Sequence, residues 1–334
     1  MKTIAITMGD PAGIGPEIIA GAWEELQMIP DCRCVVYGHP EVMRRAATLR
    51  NVNAEMDCVT CCADDVLEVL PGTIDARAGS AAYSAILRAI DDAQKKTVDA
   101  VVTAPIHKAA LHLAGHHYPG HTEIFAEQCG IENYAMMLYL GAGEWNMSGR
   151  RNMSGRRKSA GLAVVHVTLH TAMRTIFEQI TIESVLAKIR LADGFMRRIF
   201  SRYSGAPRIG VCSLNPHAGE EGLFGDEEIR IIRPAIERAV AEGLNVDGPK
   251  PADTIMLDAR DGKYDAVVAM FHDQGHIALK LLGMYRAVNI TLGLPIVRTS
   301  VAHGTAFDKA WQGVADAGSL IEAVHVAALC VTPS

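Results

Sequence analysis

Short apolar runs alternate with amphipathic stretches along the whole chain. Runs rich in β-branched residues at Thr3–Met8, Cys34–Tyr37, Ala100–Thr103, Tyr134–Leu140, Gly161–Thr168, Arg208–Leu214 and Ala266–Phe271 predict buried strands. Helical spacing predicts helices at Glu17–Leu26, Pro40–Thr48, Ser80–Lys96, Ile182–Phe200, Asp226–Glu242 and Leu320–Leu329. Strand and helix in alternation point to an α/β fold built on a mainly parallel sheet. No low-complexity linker interrupts the pattern, so a division into two lobes requires the chain to cross between them more than once.

Side chains that do chemistry tend to follow the carboxyl ends of parallel strands. Three predicted strands end in this way at a histidine. Gly161–Leu169 runs into His170, Arg208–Leu214 into Asn215-Pro216-His217, and Ala266–Phe271 into His272-Asp273-Gln274-Gly275-His276. One such histidine reads as an ordinary hydrogen-bonded polar residue, and so does His166, which sits inside its strand near valines. Three together suit a divalent ion such as zinc, cobalt, nickel, iron or manganese, with positions left open for substrate oxygens. Asp253 and Asp273 are acids suited to orient such ligands or to accept a proton.

Other segments add candidate chemistry. Met8–Glu17, MGDPAGIGPE, is a strand-to-helix turn in which Gly13 and Gly15 permit close backbone approach, although it is not a complete dinucleotide fingerprint. TAPIHK places Lys108 after a buried strand, able to bind an anion or carry a proton. HLAGHHYPGHTE holds His112, His116 and His117, which read as surface residues, and then His121 and Thr122 beyond a Tyr-Pro-Gly turn. Lys280, Asn289 and Arg298 follow in succession, with Arg298 closing the strand-like run GLPIVR; cations converging on a pocket suit a phosphate or carboxylate. HGTAFD, His303 to Asp308, is small enough at Gly304, Thr305 and Ala306 to admit a flat ring against the backbone. The sequence NMSGRR occurs twice in tandem, at Asn146–Arg151 and Asn152–Arg157, where a hairpin tip belongs. It is expected to be a duplicated, mobile loop rather than a basic docking patch.

Composition narrows the classes. The chain has 334 residues, enough for two α/β lobes, and its 49% hydrophobic but only 5% aromatic content gives an aliphatic core. A net charge of −6 argues against a nucleic-acid surface. No apolar run approaches the roughly 20 residues of a membrane helix, and the N-terminal MKTIAITMGD lacks a signal-peptide pattern. Eight scattered cysteines fit reduced thiols in a cytoplasmic protein. Cys58, Cys61 and Cys62 offer half of a zinc site with no second pair at suitable spacing.

In order along the chain, MGDPAGIGPE, TAPIHK, GHTE, NPHAGE, GLFGDEE, HDQG, VNITLGLP and VRTSVAHGTA resemble the signature blocks of the 4-hydroxythreonine-4-phosphate dehydrogenase family. HVTLH and HDQGHIALKLLG lean toward its catabolic branch, which acts on acids such as 4-phospho-D-threonate and 4-phospho-D-erythronate. The resemblance implies a two-lobed α/β/α fold like that of isocitrate and isopropylmalate dehydrogenases, with the active site in the interlobe cleft. One lobe would comprise residues 1–130 plus 290–334; the other, 131–289, would carry metal ligands and dimer contacts. It further implies NAD and a divalent metal (Zn, Mg, Co, Mn or Ni) as cofactors and a homodimer that completes each metal site. His170, His217 and His272 match metal ligands. His121, Thr122, Lys280, Asn289 and Arg298 match substrate contacts. His303, Gly304, Thr305, Ala306, Gly13 and Gly15 would lie near the dinucleotide. Lys108, Asp253 and Asp273 remain as catalytic candidates. Two departures touch the site: His107 stands where relatives carry asparagine, and Ala302 replaces an aspartate before HGTA. The implied activity is oxidation with decarboxylation of a phosphorylated four-carbon acid. Alternatives are 4-phosphooxy-L-threonine oxidation in pyridoxine biosynthesis, a cis-dihydrodiol dehydrogenase, and, from other classes, a metal-dependent phosphate-ester hydrolase or a catalytically silent metal-binding protein.

Overall fold

The computed structural model describes residues 1–141, 161–200, 205–283 and 286–331; both NMSGRR copies lie outside the described residues. The strands are β1 (Lys2–Thr7), β2 (Cys32–Gly38), β3 (Cys58–Thr60), β4 (Ala100–Thr103), β5 (Ala135–Gly141), β6 (Gly161–His166), β7 (Ile209–Cys212), β8 (Val246–Lys250), β9 (Ala266–Ala269), β10 (Val288–Leu292) and β11 (Val297–Val301). The α-helices are α1 (Gly15–Gln27), α2 (Pro40–Leu49), α3 (Ala76–Gln94), α4 (Lys108–Leu113), α5 (His121–Gln128), α6 (Ile176–Gln179), α7 (Ile182–Phe200), α8 (Arg233–Ala241), α9 (Ala252–Arg260), α10 (His272–Gly283) and α11 (Gly318–Cys330). The chain divides into two compact units, Met1–Glu132 with Leu294–Ser334, and Asn133–Gly293.

The first unit is built on strands in the order β3-β2-β1-β4-β11, all parallel. Its central strands are aliphatic and buried, from Ile4 and Ile6 to Val101 and Val102, with α3 and α11 packed against β1 and β4. Thr7 registers with Thr103, and Thr103 with Ser300, so three hydroxyl residues stand side by side where β1, β4 and β11 end. Helix α3 starts a turn earlier than the periodicity predicts. The Asp75 side chain accepts from the Arg77 amide at 2.8 Å, a cap that satisfies an otherwise orphaned donor.

The second unit has the order β10-β5-β6-β9-β7-β8. β6, β9, β7 and β8 are parallel, whereas β5 runs antiparallel to both β6 and β10. The hairpin expected between Tyr134 and Thr168 is therefore present as β5 and β6. The helix predicted at Asp226–Glu242 is two pieces: a π-helical turn, Glu228–Ile232, leads into α8. Pro234 lacks the amide that an uninterrupted α-ladder needs, and the wider turn precedes it.

Candidate functional site

β6, β9 and β7 are adjacent and parallel, so the segments after them leave the same sheet edge. His170 follows β6 in a loop, His272 opens α10 directly after β9, and His217 lies in the turn after β7. The rings of His170 and His272 are 5.9 Å apart, centroid to centroid. Both line a cavity of about 370 Å³ together with Leu169, Thr171, Ala172, Met173, Ile176, Phe271 and Asp273. His272 Nδ1 is 2.7 Å from Asp273 Oδ1. The carboxylate can only accept, so Nδ1 carries the proton and Nε2 keeps its lone pair. Such a carboxylate–imidazole pair is what a metal-ligating histidine normally has behind it. The ring contact found for His217 is with Phe224, at 6.2 Å. Among the described residues of one chain, no group of three or more His, Cys, Asp or Glu side chains has cation-binding geometry.

His217 stands on an unusual backbone. His217, Ala218, Gly219, Glu220 and Glu221 all have positive φ, at 51°, 55°, 77°, 42° and 56°. A left-handed turn costs roughly 1–2 kcal/mol for each residue that carries a Cβ. Glu228 holds it. Its buried carboxylate accepts from the Leu214 amide at 2.7 Å, the Asn215 amide at 2.8 Å and the Asn215 Nδ2 at 2.9 Å. Replacing Glu228 with alanine leaves the Leu214 and Asn215 amides unsatisfied, while Asn215 Nδ2 keeps Glu227 at 2.7 Å, and is expected to cost about 3 kcal/mol in stability. Urea unfolding measures this; a loss below about 1 kcal/mol would remove Glu228 as the anchor of the turn.

Two buried histidines lie behind His272. The rings of His276 and His272 are stacked, and His276 Nδ1 is 3.1 Å from His166 Nε2. Burial is the main cause that pushes His166 down to about 3, with His276 adding to it. Burial and then His272 push His276 down to about 4. Gly275 lets α10 come this close: a Cβ there would meet His166 Nε2 at 2.5 Å. Gln274 ties two strand ends together, accepting from the Met270 amide at 2.7 Å and donating to the Ser213 carbonyl at 2.8 Å. Asp253, in the first turn of α9, is exposed, as is Asp273. Lys280 lies in the last turn of α10, and Asn289 has a buried, unpartnered Oδ1.

In the first unit the candidate motifs converge. The Asp10 amide donates to the Pro105 carbonyl at 2.8 Å, which joins MGDPAGIGPE to TAPIHK. The Ile14 amide donates to the Thr305 carbonyl at 3.0 Å, and a Cβ on Gly13 would meet Thr305 Cβ at 2.9 Å, so Gly13 is what permits HGTAFD to lie against the turn. Gly15 similarly packs against the Met8 carbonyl. The His107 ring stacks on Phe307 at 4.6 Å and 17°. A Cβ on Gly304 would meet nothing within 4 Å, which leaves an open face beside His303. Lys108 opens α4 and is exposed.

Arg298 departs from its expected place. It is the second residue of β11, only 1% exposed, rather than the end of a strand. Its Nη2 donates to Thr103 Oγ1 at 2.6 Å, and its guanidinium lies 5.4 Å from the Phe125 ring centre. Burial lowers its pKa and Glu123 opposes the shift, yet a guanidinium remains charged at neutral pH. His121 starts α5 beside buried Thr122, and its Nε2 is buried without a partner. Burial first, then the Arg298 charge, push His121 well below its usual range, so the ring is neutral. A buried cation, a neutral imidazole and a threonine hydroxyl make a polar cluster suited to an anionic oxygen-rich ligand.

Asp10, inside the MGDPAGIGPE turn, belongs to the same group of first-unit motifs. It is fully buried; Oδ1 accepts from the Ala12 amide at 2.8 Å and Oδ2 has no partner. Burial pushes its carboxyl up to about 7, the Ala12 hydrogen bond opposes that, and Asp75 adds to it. An acid between glycine and proline, in a turn flanked by apolar residues, was the available signal.

A family profile described as "Pyridoxal phosphate biosynthetic protein PdxA" matches residues 30–327. The chain belongs to the PdxA family. A curated relative from Pectobacterium atrosepticum, named D-threonate 4-phosphate dehydrogenase, is 43% identical, with 98% of each chain covered. Another from Beijerinckia indica, named 4-hydroxythreonine-4-phosphate dehydrogenase, is 45% identical over 99% of this chain and 96% of its own. The solved structure of a 4-hydroxythreonine-4-phosphate dehydrogenase from Klebsiella pneumoniae superposes with a TM-score of 0.83 at 41% identity, covering 99% of this chain and 100% of that one. The likeness to that solved structure covers nearly the whole fold. No described helix is long and apolar enough to cross a membrane.

Proposed function

We propose that this PdxA-family chain is an NAD-dependent, divalent-metal-dependent dehydrogenase. It oxidises the 3-hydroxyl of a phosphorylated four-carbon acid, and the resulting β-keto acid loses carbon dioxide. 4-Phospho-D-threonate is the first substrate and 4-phospho-D-erythronate the second, in line with the Pectobacterium relative and with HDQGH. The observation that carries the reading is the Asp273–His272 pair on the cavity wall, which presents a lone-pair imidazole nitrogen beside His170. One chain supplies two imidazoles there. The third donor is assigned to His217 of the partner subunit in a homodimer.

The residues fit both cofactors. An imidazole with a fixed tautomer, His272, beside a second one, His170, suits a borderline divalent ion. The turn that holds Gly13 and Gly15 packs through Gly13 against Thr305 of the His303–Ala306 segment, with an open face at Gly304, and suits a dinucleotide against the backbone. When bound, the cation would polarise the substrate's oxygens and the nicotinamide would accept hydride. The chain's own residues bind and orient. Arg298, His121, Thr122, Lys280 and Asn289 are assigned to the phosphate and carboxylate, fixing the alcohol in one pose. Proton transfer from the hydroxyl is assigned to Lys108 or Asp253, because the Asp273 carboxylate is engaged by His272.

NADH formation followed by absorbance over a panel of phosphorylated four-carbon acids tests the reading. Turnover of 4-phospho-D-threonate supports it. Preference for 4-phosphooxy-L-threonine would favour the second reading, to which the Beijerinckia and Klebsiella names point. Phosphate release without NADH would replace both with a hydrolase.

A further inference from the structure

The proposed chemistry gives no part to the second pair of histidines, His166 and His276. His276 lies one helical turn after His272 on α10, and the two rings are stacked with centroids 3.8 Å apart at 12°. His276 Nδ1 is 3.1 Å from His166 Nε2, and His166 Nδ1 is 3.5 Å from the Met136 carbonyl oxygen. The far end fixes the direction of this chain. A carbonyl can only accept, so the proton of the neutral His166 ring is on Nδ1. Its Nε2 is then an acceptor, and His276 Nδ1 must be the donor. The His272 carbonyl is a second acceptor near the same ring. The His276 proton is thereby held on Nδ1, on the side facing β6.

The consequence falls on His272. Its side chain is 36% exposed, and Asp273 fixes its tautomer through one nitrogen. One hydrogen bond leaves the ring plane free to swing about that contact. A parallel ring packed on its face removes that freedom. We propose that His276, held by His166 and Met136, is a positioning residue that fixes the plane of the His272 ring for cation binding. Partners of this kind change metal affinity by about 10–100-fold when removed. The proposal rests on the cation reading for what His272 holds, but the tautomers can be read without any cation.

Long-range ¹⁵N–¹H NMR of metal-free, histidine-labelled wild-type protein should show His166 and His276 both as Nδ1–H tautomers. Titration of the full-length protein with zinc should show His276→Ala binding about 10–100-fold more weakly than wild type, with an unchanged circular dichroism spectrum. His166→Gln keeps an acceptor for His276 and should retain most of the affinity. An Nε2–H tautomer at either ring overturns the proposal, as does wild-type affinity in folded His276→Ala. If His276→Ala does not fold, the wild-type tautomers decide. Wild-type protein that binds no zinc ends the cation reading and the positioning role with it; Nδ1–H tautomers in that same protein would locate the failure in the cation reading.

Discussion

Replacing His272 with alanine is expected to lower turnover by about 1,000-fold while the protein stays folded. The side chain is half-exposed at the start of α10, so its loss leaves no core cavity. What disappears is the nitrogen that Asp273 holds in the lone-pair form. Several kcal/mol of polarisation of the reacting oxygens would go with it, and each 1.4 kcal/mol is about tenfold in rate. Steady-state NADH production and the melting temperature should be measured side by side. A variant within about tenfold of wild type would remove His272 from the chemistry. A variant that is inactive because it is unfolded would show in the melting temperature.

The largest stability effect is expected at Asp10. Its carboxyl is raised from 3.8 to about 7 by burial. The folded pKa lies above the unfolded one, so the folded state holds the proton more tightly. Below pH of about 4 both states are protonated and no penalty exists. As pH rises the unfolded chain ionises first, and stability falls until the folded group also ionises near pH 7. Three units at 1.36 kcal/mol each give a loss on the order of 4 kcal/mol between these limits. Asp10→Asn keeps the Oδ1 acceptor for the Ala12 amide and cannot ionise. Denaturant unfolding across pH 4–8 should therefore show a falling wild-type curve and a flatter variant curve. Parallel curves would mean that Asp10 titrates normally in the folded protein.

Much of the fold was legible because each buried strand is a short β-branched run bounded by turn residues, as in Ala100–Thr103 and Ala266–Ala269. The histidines after β6, β7 and β9 were legible as strand-end residues for the same reason. What the chain did not announce depends on distance through space. His166 and His276 are 110 residues apart in sequence and meet only because Gly275 lets α10 approach β6. His166 read as an ordinary polar residue within its strand, and it is indeed hydrogen-bonded; its role toward His276 has no local sign. Arg298 read as closing the Gly/Pro-bounded run GLPIVR, whereas it is the second residue of β11 and buried. Thr103 on the neighbouring strand and the Phe125 ring make that burial tolerable. The left-handed turn His217–Glu221 contains one glycine, Gly219, and its anchor, Glu228, acts from the following π-turn. Among cofactor candidates, Gly13 and Thr305 were named separately, and the Ile14–Thr305 hydrogen bond makes them neighbours.

Subunit complementation tests the shared cation site most directly. His170→Ala and His217→Ala chains, each inactive alone, are co-expressed with different tags and the mixed dimers isolated. If each site takes His170 and His272 from one chain and His217 of the partner subunit, every mixed dimer contains one intact site and about half of wild-type activity returns. His170→Ala mixed with His272→Ala places both defects in the same half-site and should recover nothing. Mixed dimers of the first pair that stay inactive would contradict the account.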